Sequence, residues 1–292
     1  MKQAPITQKA NAKINLYLHV TGKLENGFHT LDSLVVFADV GDNITVKQTP
    51  DGNEITLKVS GPFCDDVPTD DSNLVIKAAK LLKHTHNIEM GAEILLEKNL
   101  PVSSGVGGGS ADAAAVVRAL SVLWNLNEPQ LDSGTLGQKL GADVPVCFNG
   151  KNVFMSGVGE ILTPAPKLPD CWLVLANPGG AVSTPDVFKN RVSEFSNPAR
   201  FDETPKNAAR LAEIIADRNN DLFASALGIQ PEIAEVIDAL KGLDGALLAR
   251  MSGSGATCFG IFASEKDALT GAERLSQSNS NWWVSAAKML NH

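Results

Sequence analysis

Cysteine is scarce in this chain, which has four cysteines in 292 residues. The four stand far apart and form no CxxC pair, so neither a disulfide framework nor a redox motif is indicated. The five histidines form no HExxH motif and no cluster with cysteine, which argues against a structural zinc site. We therefore expect reduced and mostly buried thiols, as in a cytosolic protein.

Positive charge and long apolar runs are lacking as well. The chain carries 25 Lys and Arg residues against 33 Asp and Glu residues, for a formal net charge of -8. Because an acidic chain has no broad basic field, we expect no nucleic-acid partner. No apolar run approaches the ~20 residues of a membrane span and none follows the first lysine, so we expect neither a membrane anchor nor a secretory signal. These absences favour a cytoplasmic globular enzyme and leave its oligomeric state open.

The chain does contain a mixture of strand and helix patterns. A turn signal at residues 50–53 separates two alternating apolar segments, residues 44–46 and 55–59, which predicts a β-hairpin. Other strands are predicted at residues 13–20, 92–96, 172–176, 246–249, 257–262 and 282–286. Helices are predicted from the cap at Asn73 through Leu82, from Ser110 through Leu123, at residues 131–140, at residues 208–216, and from Pro231 through Leu240.

The order of these patterns indicates the fold class. The second half mixes strands and helices without the strict strand–helix–strand rhythm of a parallel sheet, which favours an α+β protein of two domains. A proline-rich stretch at residues 163–169 is the predicted connection between them. We therefore predict domains at residues 1–162 and 163–292.

The most informative segment is a glycine loop that runs into a helix. Four glycines fall within five positions, and the alanine-rich helix follows directly. Glycines let the backbone approach phosphate oxygens closely, and a helix N-terminus adds free N–H groups and a partial positive charge. A plain flexible turn would not need this glycine density. The loop is therefore predicted to hold the phosphates of ATP, through Pro101, Val102, Ser103, Ser104, Gly105, Val106, Gly107, Gly108, Gly109, Ser110 and Ala111.

Better-known phosphate motifs do not fit this loop. No GxxxxGK[ST] sequence occurs, so it is not a P-loop. A dinucleotide fingerprint would need its third glycine where Ser110 stands, and no strand ending in an acidic residue follows at the expected distance. The catalytic-loop and DFG patterns of protein kinases are absent too. These mismatches argue against both a nicotinamide dehydrogenase and a protein kinase.

Three segments together resemble the GHMP kinases, a superfamily of small-molecule kinases. They are the glycine loop with its leading Pro101, an N-terminal string at residues 12–16 (Ala-Lys-Ile-Asn-Leu), and a second glycine turn at residues 252–257 (Ser-Gly-Ser-Gly-Ala-Thr). The three occur in the superfamily's order and span most of the chain. The resemblance implies a two-domain α+β fold with the active site in the cleft between the domains, ATP as phosphate donor and Mg²⁺ as cofactor.

Within the superfamily, further strings resemble the members whose substrate is a cytidine diphosphate conjugate of a small polyol. These strings are residues 27–31 (Gly-Phe-His-Thr-Leu), 141–148 (Gly-Ala-Asp-Val-Pro-Val-Cys-Phe) and 220–222 (Asn-Asp-Leu). Many such members carry tyrosine where this chain has Phe28; stacking on a base survives that change. Kinases for mevalonate, phosphomevalonate or homoserine, and a nucleotide sensor without catalysis, are the alternatives.

The resemblance assigns catalysis to Asp143 and Lys13. The residues alone favour a turn-capping carboxylate at Asp143 over a proton acceptor at a turn into an apolar strand. They also favour an outward-facing lysine at Lys13. The matching strings instead imply that Asp143 accepts the proton of the acceptor hydroxyl. They imply that Lys13 stands beside it and lowers the cost of negative charge there.

The remaining candidates concern the two nucleotide bases. For the cytidine substrate the resemblance implies contacts from Asn15, Phe28, His29, Thr184 and Phe188, with Phe28 and Phe188 stacking and His29 bonding the base edge. Phe188 also fits a core position on a short helix. For adenine the candidates are Asn73, Leu74 and Lys98, although Asn73 fits a helix cap equally well. The ligands of Mg²⁺ stay open: Ser110 is a candidate to help hold it, although phosphates and water usually supply most of its ligands.

Overall fold

The computed structural model describes residues 4–49, 52–126 and 133–291. These residues form two compact units, each assembled from separated stretches of chain. The first unit contains the stretch up to Ala12 and residues 41–102 and 108–149. The second contains residues 13–40, 103–107 and those from Gly150 onwards. Two long strands, β1 (Ile6–Lys23) and β2 (His29–Gln48), belong partly to each unit.

In the first unit, strands and helices pack around an alanine-rich helix. The strands are β3 (Ile55–Ser60) and β4 (Ala92–Glu97), with the ends of β1 and β2 that belong to this unit. The helices are α1 (Leu74–Thr85), α2 (Gly108–Leu123), α3 (Ser133–Leu140) and α4 (Val144–Asn149). Helix α2 is buried along nearly its whole length, because alanine side chains let α1 and α4 approach its backbone closely.

The predicted hairpin between β2 and β3 is wrong. Strand β4 pairs antiparallel with β2 and parallel with β3, so it lies between the two strands expected to be partners. The connection between β2 and β3 therefore spans two strand spacings, about 10 Å. Buried alternate residues of β4, Ala92, Ile94 and Leu96, explain why a central position stabilises it. Pro50 and Asp51 of the predicted turn lie outside the described residues, as do Leu131 and Asp132 of the predicted helix at 131–140.

In the second unit, helices pack against a four-stranded antiparallel sheet of order β10-β7-β9-β8. Its strands are β7 (Trp172–Asn177), β8 (Ala246–Met251), β9 (Cys258–Phe262) and β10 (Trp283–Lys288). The hairpin of β5 (Val153–Gly157) and β6 (Ile161–Pro164) pairs with the start of β2. The helices are α5 (Thr184–Lys189), α6 (Ala208–Ile215), α7 (Phe223–Ile229), α8 (Glu232–Lys241) and α9 (Glu265–Ser278).

The predicted α+β class is confirmed, and several predicted elements need adjusting. Helix α2 begins at Gly108, two residues before the predicted Ser110. The apolar run after Asp143 is helix α4, not a strand, because a proline in its first turn suits a helix start. Strand β6 includes Thr163 and Pro164, the first two residues of the predicted connection. The domain boundary at residue 162 stays a prediction.

The expectations about the cysteines and about membrane spans can be compared with the structure. All four cysteines are free, and only Cys64 is partly exposed. Burial, helped by the charge of Asp170, raises the pKa of the Cys171 thiol to about 12, so that thiol stays protonated at neutral pH. None of the described helices combines the length and the apolar composition needed to cross a bilayer. The predicted cytoplasmic location stays a prediction.

Candidate active site

The glycine loop, residues 101–111, has a backbone shape that requires glycine. Gly105 and Gly107 have φ values of 78° and 64°, in the left-handed region that other residues rarely adopt. A Cβ on Gly105 would lie 2.5 Å from the carbonyl oxygen of Ser252, closer than atoms can approach. Gly105 is therefore fixed both by its conformation and by its neighbour in the second unit.

The second glycine turn, residues 252–255, packs backbone to backbone on that loop. The Ser252 hydroxyl donates to the Gly105 carbonyl over 3.1 Å and accepts the Asn15 N–H over 3.1 Å. The Thr257 N–H donates to the Ser104 carbonyl over 3.0 Å. The side-chain nitrogen of Asn220 donates 2.8 Å hydrogen bonds to the carbonyls of Met251 and Gly253, which stabilise the turn. The two glycine motifs of the sequence thus form one hydrogen-bonded assembly.

The start of helix α2 lies in the first unit and leaves backbone donors open. The first N–H groups of a helix have no partner within it and carry a partial positive charge. Gly109 is exposed and Gly108 and Ser110 are half-buried, whereas Ala111 is buried. Leu74 lies beside this turn, because a Cβ on Gly109 would meet its Cδ1 at 3.8 Å. The helix start can therefore accept an anion.

Lys98 lies beneath the same helix start in a buried cluster with two carboxylates. Its Nζ donates to Asp42 Oδ2 over 2.5 Å and to Asp112 Oδ2 over 2.7 Å, and all three side chains are at most 3% exposed. A Cβ on Gly108 would lie 3.1 Å from this Nζ. The backbone N–H of Lys98 donates to Ser60, and its carbonyl accepts from Phe63. The predicted adenine contact of Lys98 stays a prediction.

Lys13 is buried in β1 and held by a chain of polar groups. It is 3% exposed, so the alternative of an outward-facing lysine is excluded. Its Nζ donates to Asn15 Oδ1 over 2.9 Å, and Asn15 Nδ2 donates to the Ser33 hydroxyl over 2.8 Å. Ser33 donates in turn to the Tyr17 carbonyl over 2.6 Å. Asn15 is fully buried, and its predicted substrate contact stays a prediction.

Asp143 immediately precedes helix α4 in the first unit. It is half-buried, and its carbonyl accepts the N–H of Cys147, which closes the first helical turn. The two residues before it, Gly141 and Ala142, are exposed, and Val144 after it is buried. A carboxylate at this boundary between solvent and core is reachable by a substrate and can accept a proton.

Two of the residues predicted to contact the cytosine base, His29 and Phe188, lie in contact in the second unit. Phe28 is 62% exposed at the turn between β1 and β2, where Gly27 has a φ of 88°. His29 begins β2 and stacks on Phe188 with ring centroids 5.2 Å apart and planes inclined by 22°. Partial burial lowers the pKa of His29 below its usual value, as do the positive charges of Lys23 and Arg191. His29 is therefore neutral at pH 7 and can both donate and accept.

Two further candidates are engaged by neighbouring polar groups. Thr184 is exposed at the start of α5, and its hydroxyl lies 2.7 Å from that of Ser254 in the second glycine turn. Asn73 caps α1, accepting the Val75 N–H over 2.8 Å and donating to the Pro68 carbonyl over 2.6 Å. The cap that the sequence indicated is confirmed, and a role for Asn73 toward adenine stays a prediction.

Comparisons with known proteins identify the family of this chain. The family of GHMP kinase N-terminal domains matches residues 73–151, and that of GHMP kinase C-terminal domains matches residues 201–281. The 4-diphosphocytidyl-2-C-methyl-D-erythritol kinase of Rhodospirillum rubrum is 47% identical over 285 residues, covering 98% of this chain and 93% of that protein. The chain belongs to the 4-diphosphocytidyl-2-C-methyl-D-erythritol kinase family of GHMP kinases. The resemblance found in the sequence is thereby confirmed.

Solved structures place this kinase family within the wider fold. A crystal structure of 4-(cytidine 5'-diphospho)-2C-methyl-D-erythritol kinase matches with a TM-score of 0.78 and 32% identity, covering 98% of this chain and 100% of that one. The homoserine kinase of Cytophaga hutchinsonii matches with a TM-score of 0.66 and 18% identity, covering 99% and 95% of the two chains. The second likeness shows the shared fold alone.

Three residues that contact the candidate residues Asn15 and Lys98 were not anticipated from the sequence: Ser33, Asp42 and Asp112. Ser33 lies in an apolar strand, where an isolated serine carries little signal. Asp112 offered the clearest clue, because it interrupts a helix whose neighbouring residues are alanine. A carboxylate on a fully apolar helix face needs a partner. That argument would have predicted a buried cation near the glycine loop.

Proposed function

We propose that this chain transfers the γ-phosphoryl group of ATP to the 2-hydroxyl of 4-diphosphocytidyl-2-C-methyl-D-erythritol, a step of non-mevalonate isoprenoid precursor biosynthesis. The observation that carries the proposal is the 47% identity to a relative of that name over 98% of the chain. The alternatives of mevalonate and homoserine are supported only by distant likeness of fold, at 18% identity for the homoserine kinase.

The glycine loop fits a triphosphate. Its left-handed glycines keep side chains away from the helix start, and the open N–H groups of α2 supply donors for anionic oxygens. Among the described residues no group of three or more His, Cys, Asp or Glu side chains is arranged to hold a metal ion. Mg²⁺ in nucleotide sites is usually held largely by phosphates and water, and here it would offset the charge of the phosphates.

Asp143 and Lys13 carry the proposed chemistry. Asp143 accepts the proton of the 2-hydroxyl as that oxygen forms its bond to the γ-phosphorus. The bond from the γ-phosphorus to the bridging oxygen breaks, and ADP leaves with the electron pair. Lys13 supplies positive charge for the developing alkoxide. Its orientation by Asn15 supports this role, because a fixed ammonium stabilises charge without reorganisation.

The aromatic pair supports recognition of cytosine. Phe28 is exposed and therefore available for stacking on a base, and His29 and Phe188 already lie in contact. A neutral imidazole can pair with the donor and acceptor atoms of the cytosine edge, which distinguishes it from uracil. Thr184 and Asn15 complete the proposed contacts to the acceptor.

A panel of acceptors tests the proposal. ADP release from ATP is followed with the cytidine conjugate, its uridine analogue, mevalonate and homoserine at equal concentrations. The proposal requires kcat/KM for the cytidine conjugate to exceed the others by at least about a hundredfold, since a site that bonds a base edge rejects a mismatched one strongly. Equal turnover of mevalonate or homoserine would contradict it.

A further inference from the structure

A buried charge cluster in the first unit is unusual in composition. Asp42 and Asp112 both accept from Lys98, so two carboxylates share one ammonium group within hydrogen-bond distance. None of the three side chains is more than 3% exposed. Burying charged groups is unfavourable unless they are well paired, so a buried cluster is weak evidence of a contribution to stability alone.

The three members link the segments that shape the glycine loop. Asp42 Oδ1 accepts the N–H groups of Asn99 and Leu100 over 2.6 and 2.8 Å, which fixes the chain just before Pro101. Asp112 lies in the first turns of α2, four residues after Gly108. Lys98 joins the two carboxylates and lies against the helix start at Gly108. The cluster therefore connects the entry of the loop to its exit.

One carboxylate oxygen in the cluster remains unused. Asp112 Oδ1 is buried without a hydrogen-bond partner among the described residues, while its Oδ2 binds Lys98. An unpaired buried polar atom is destabilising, because it has lost its hydrogen bonds to water. The helices packed on α2 bring apolar buried faces, Val75, Ile76 and Leu82 from α1 and Val144 and Val146 from α4. The charged groups that face Asp112 are thus Lys98 and Asp42.

We propose that Asp112 is a positioning residue for nucleotide binding, which acts through Lys98 to hold the N–H groups at the start of α2 in place for the triphosphate. The inference rests on the proposed function, because it takes the glycine loop as the ATP site. In this proposal the side chain of Lys98 holds the loop in shape by joining Asp42 to Asp112. Asp112 itself touches no phosphate; it fixes the group beneath the loop.

Binding of a non-hydrolysable ATP analogue to the full chain, measured by calorimetry, tests the proposal. Asp112→Ala and Asp112→Val remove the acceptor, and valine also fills the volume. Either change should weaken analogue binding about tenfold while the acceptor KM changes less than about twofold. Asp112→Asn keeps an oxygen for Lys98 and should stay within about threefold of wild type. Val116→Ala, on the same helix, is the control for lost stability and should leave analogue binding unchanged.

The outcomes separate this inference from the proposed function. If the wild-type chain fails to bind the analogue, the proposed function itself is wrong. If it binds and the folded Ala or Val variant binds equally well, only the positioning role is overturned. Equal losses for nucleotide and acceptor, or unfolding of both variants while Asp112→Asn folds, would likewise reduce Asp112 to a residue needed for folding.

Discussion

The Asn15 side-chain amide donates a 2.8 Å hydrogen bond to the Ser33 hydroxyl, and this bond fixes which atom of Asn15 faces Lys13. Because the nitrogen of the amide is occupied by Ser33, its oxygen is the atom that accepts from Lys13 Nζ. Ser33, on the neighbouring strand β2, therefore orients the Lys13 ammonium through Asn15.

Ser33→Ala should lower kcat about tenfold and leave both KM values within about twofold. Without its acceptor, Asn15 Nδ2 is left unpaired in the core, and the amide loses its fixed orientation toward Lys13. Steady-state kinetics with both substrates measures the effect. Ser121→Ala removes a buried hydroxyl from α2 and serves as the control, which should keep wild-type kcat. An unchanged kcat in folded Ser33→Ala would show that Lys13 needs no such support.

The glycine loop should not tolerate side chains. Gly107→Val and Gly108→Val should abolish detectable binding of an ATP analogue. A side chain is strained at the φ of 64° that Gly107 adopts, and a Cβ on Gly108 would lie 3.1 Å from Lys98 Nζ. Gly179→Ala is a suitable control, since Gly179 also has a positive φ of 89° and a Cβ there meets its nearest atom only at 4.0 Å. It should lose stability but retain analogue affinity. Normal affinity in either loop variant would remove the loop from the ATP site.

Base recognition should depend on His29. It should not require the tyrosine hydroxyl that many related kinases have at the position of Phe28. His29→Ala should raise KM for the cytidine substrate at least about tenfold without changing KM for ATP, because a bond to the base edge is lost. Phe28→Tyr should be nearly silent, since the ring still stacks, whereas Phe28→Ala should raise the same KM. Parallel losses for both substrates in His29→Ala would indicate a purely structural residue.

Removal of the proposed base should slow the chemical step. Asp143→Asn should lower kcat by ~10²–10⁴-fold with little change in substrate affinity. Lys13→Met should also lower kcat. The double variant should be less impaired than the product of the two single effects, because the proposed function assigns both residues to the same chemical step. Single-turnover kinetics confirm that chemistry is being measured. Retention of more than about a tenth of kcat by Asp143→Asn would rule out the base role.

The buried cluster should make stability depend on pH. Burial, opposed by Lys98 and reinforced by Asp42, raises the pKa of Asp112 from 3.8 to about 7. Between these two values the folded chain holds a proton that the unfolded chain has lost, so stability falls as pH rises from about 4 to 7. Asp112→Asn lacks this dependence, and its free energy of unfolding relative to wild type should increase over that range. Urea unfolding at pH 5, 6 and 7 measures it; a constant difference would mean that Asp112 is ionised throughout.

Local patterns predicted the fold where the deciding interactions are local. The cap at Asn73 and the buried face of α8, with Ile233, Val236 and Leu240, follow from spacing along the chain alone. Helix α9 was missed although Ala268, Ala272 and Leu275 have helical spacing, because its polar face gives a low mean hydropathy. The place of β4 between β2 and β3 depends on pairing of distant residues, which no local pattern reports.

The candidate site likewise has a part that short sequence strings predicted and a part that only the fold shows. The resemblance of short strings pointed to both glycine motifs, but their contact joins Gly105 to Ser252 across 147 positions of sequence. The cluster of Asp42, Lys98 and Asp112 was missed for a related reason. Each residue alone suits a solvated surface, and only the fold shows that one ammonium group pairs with two carboxylates in the interior.

The insertion of β4 also orders events during synthesis. Strands β2 and β3 precede β4 in the chain, so both leave the ribosome before the strand that separates them in the finished sheet. A direct pairing of the two at that stage would be non-native and would have to open before β4 could enter. Lys47 and Lys58 point from these strands toward Glu93 of β4 in the finished sheet. Until β4 arrives, the like charges of Lys47 and Lys58 oppose the premature hairpin. The two lysines that pair with Glu93 in the native sheet therefore also disfavour the non-native pairing.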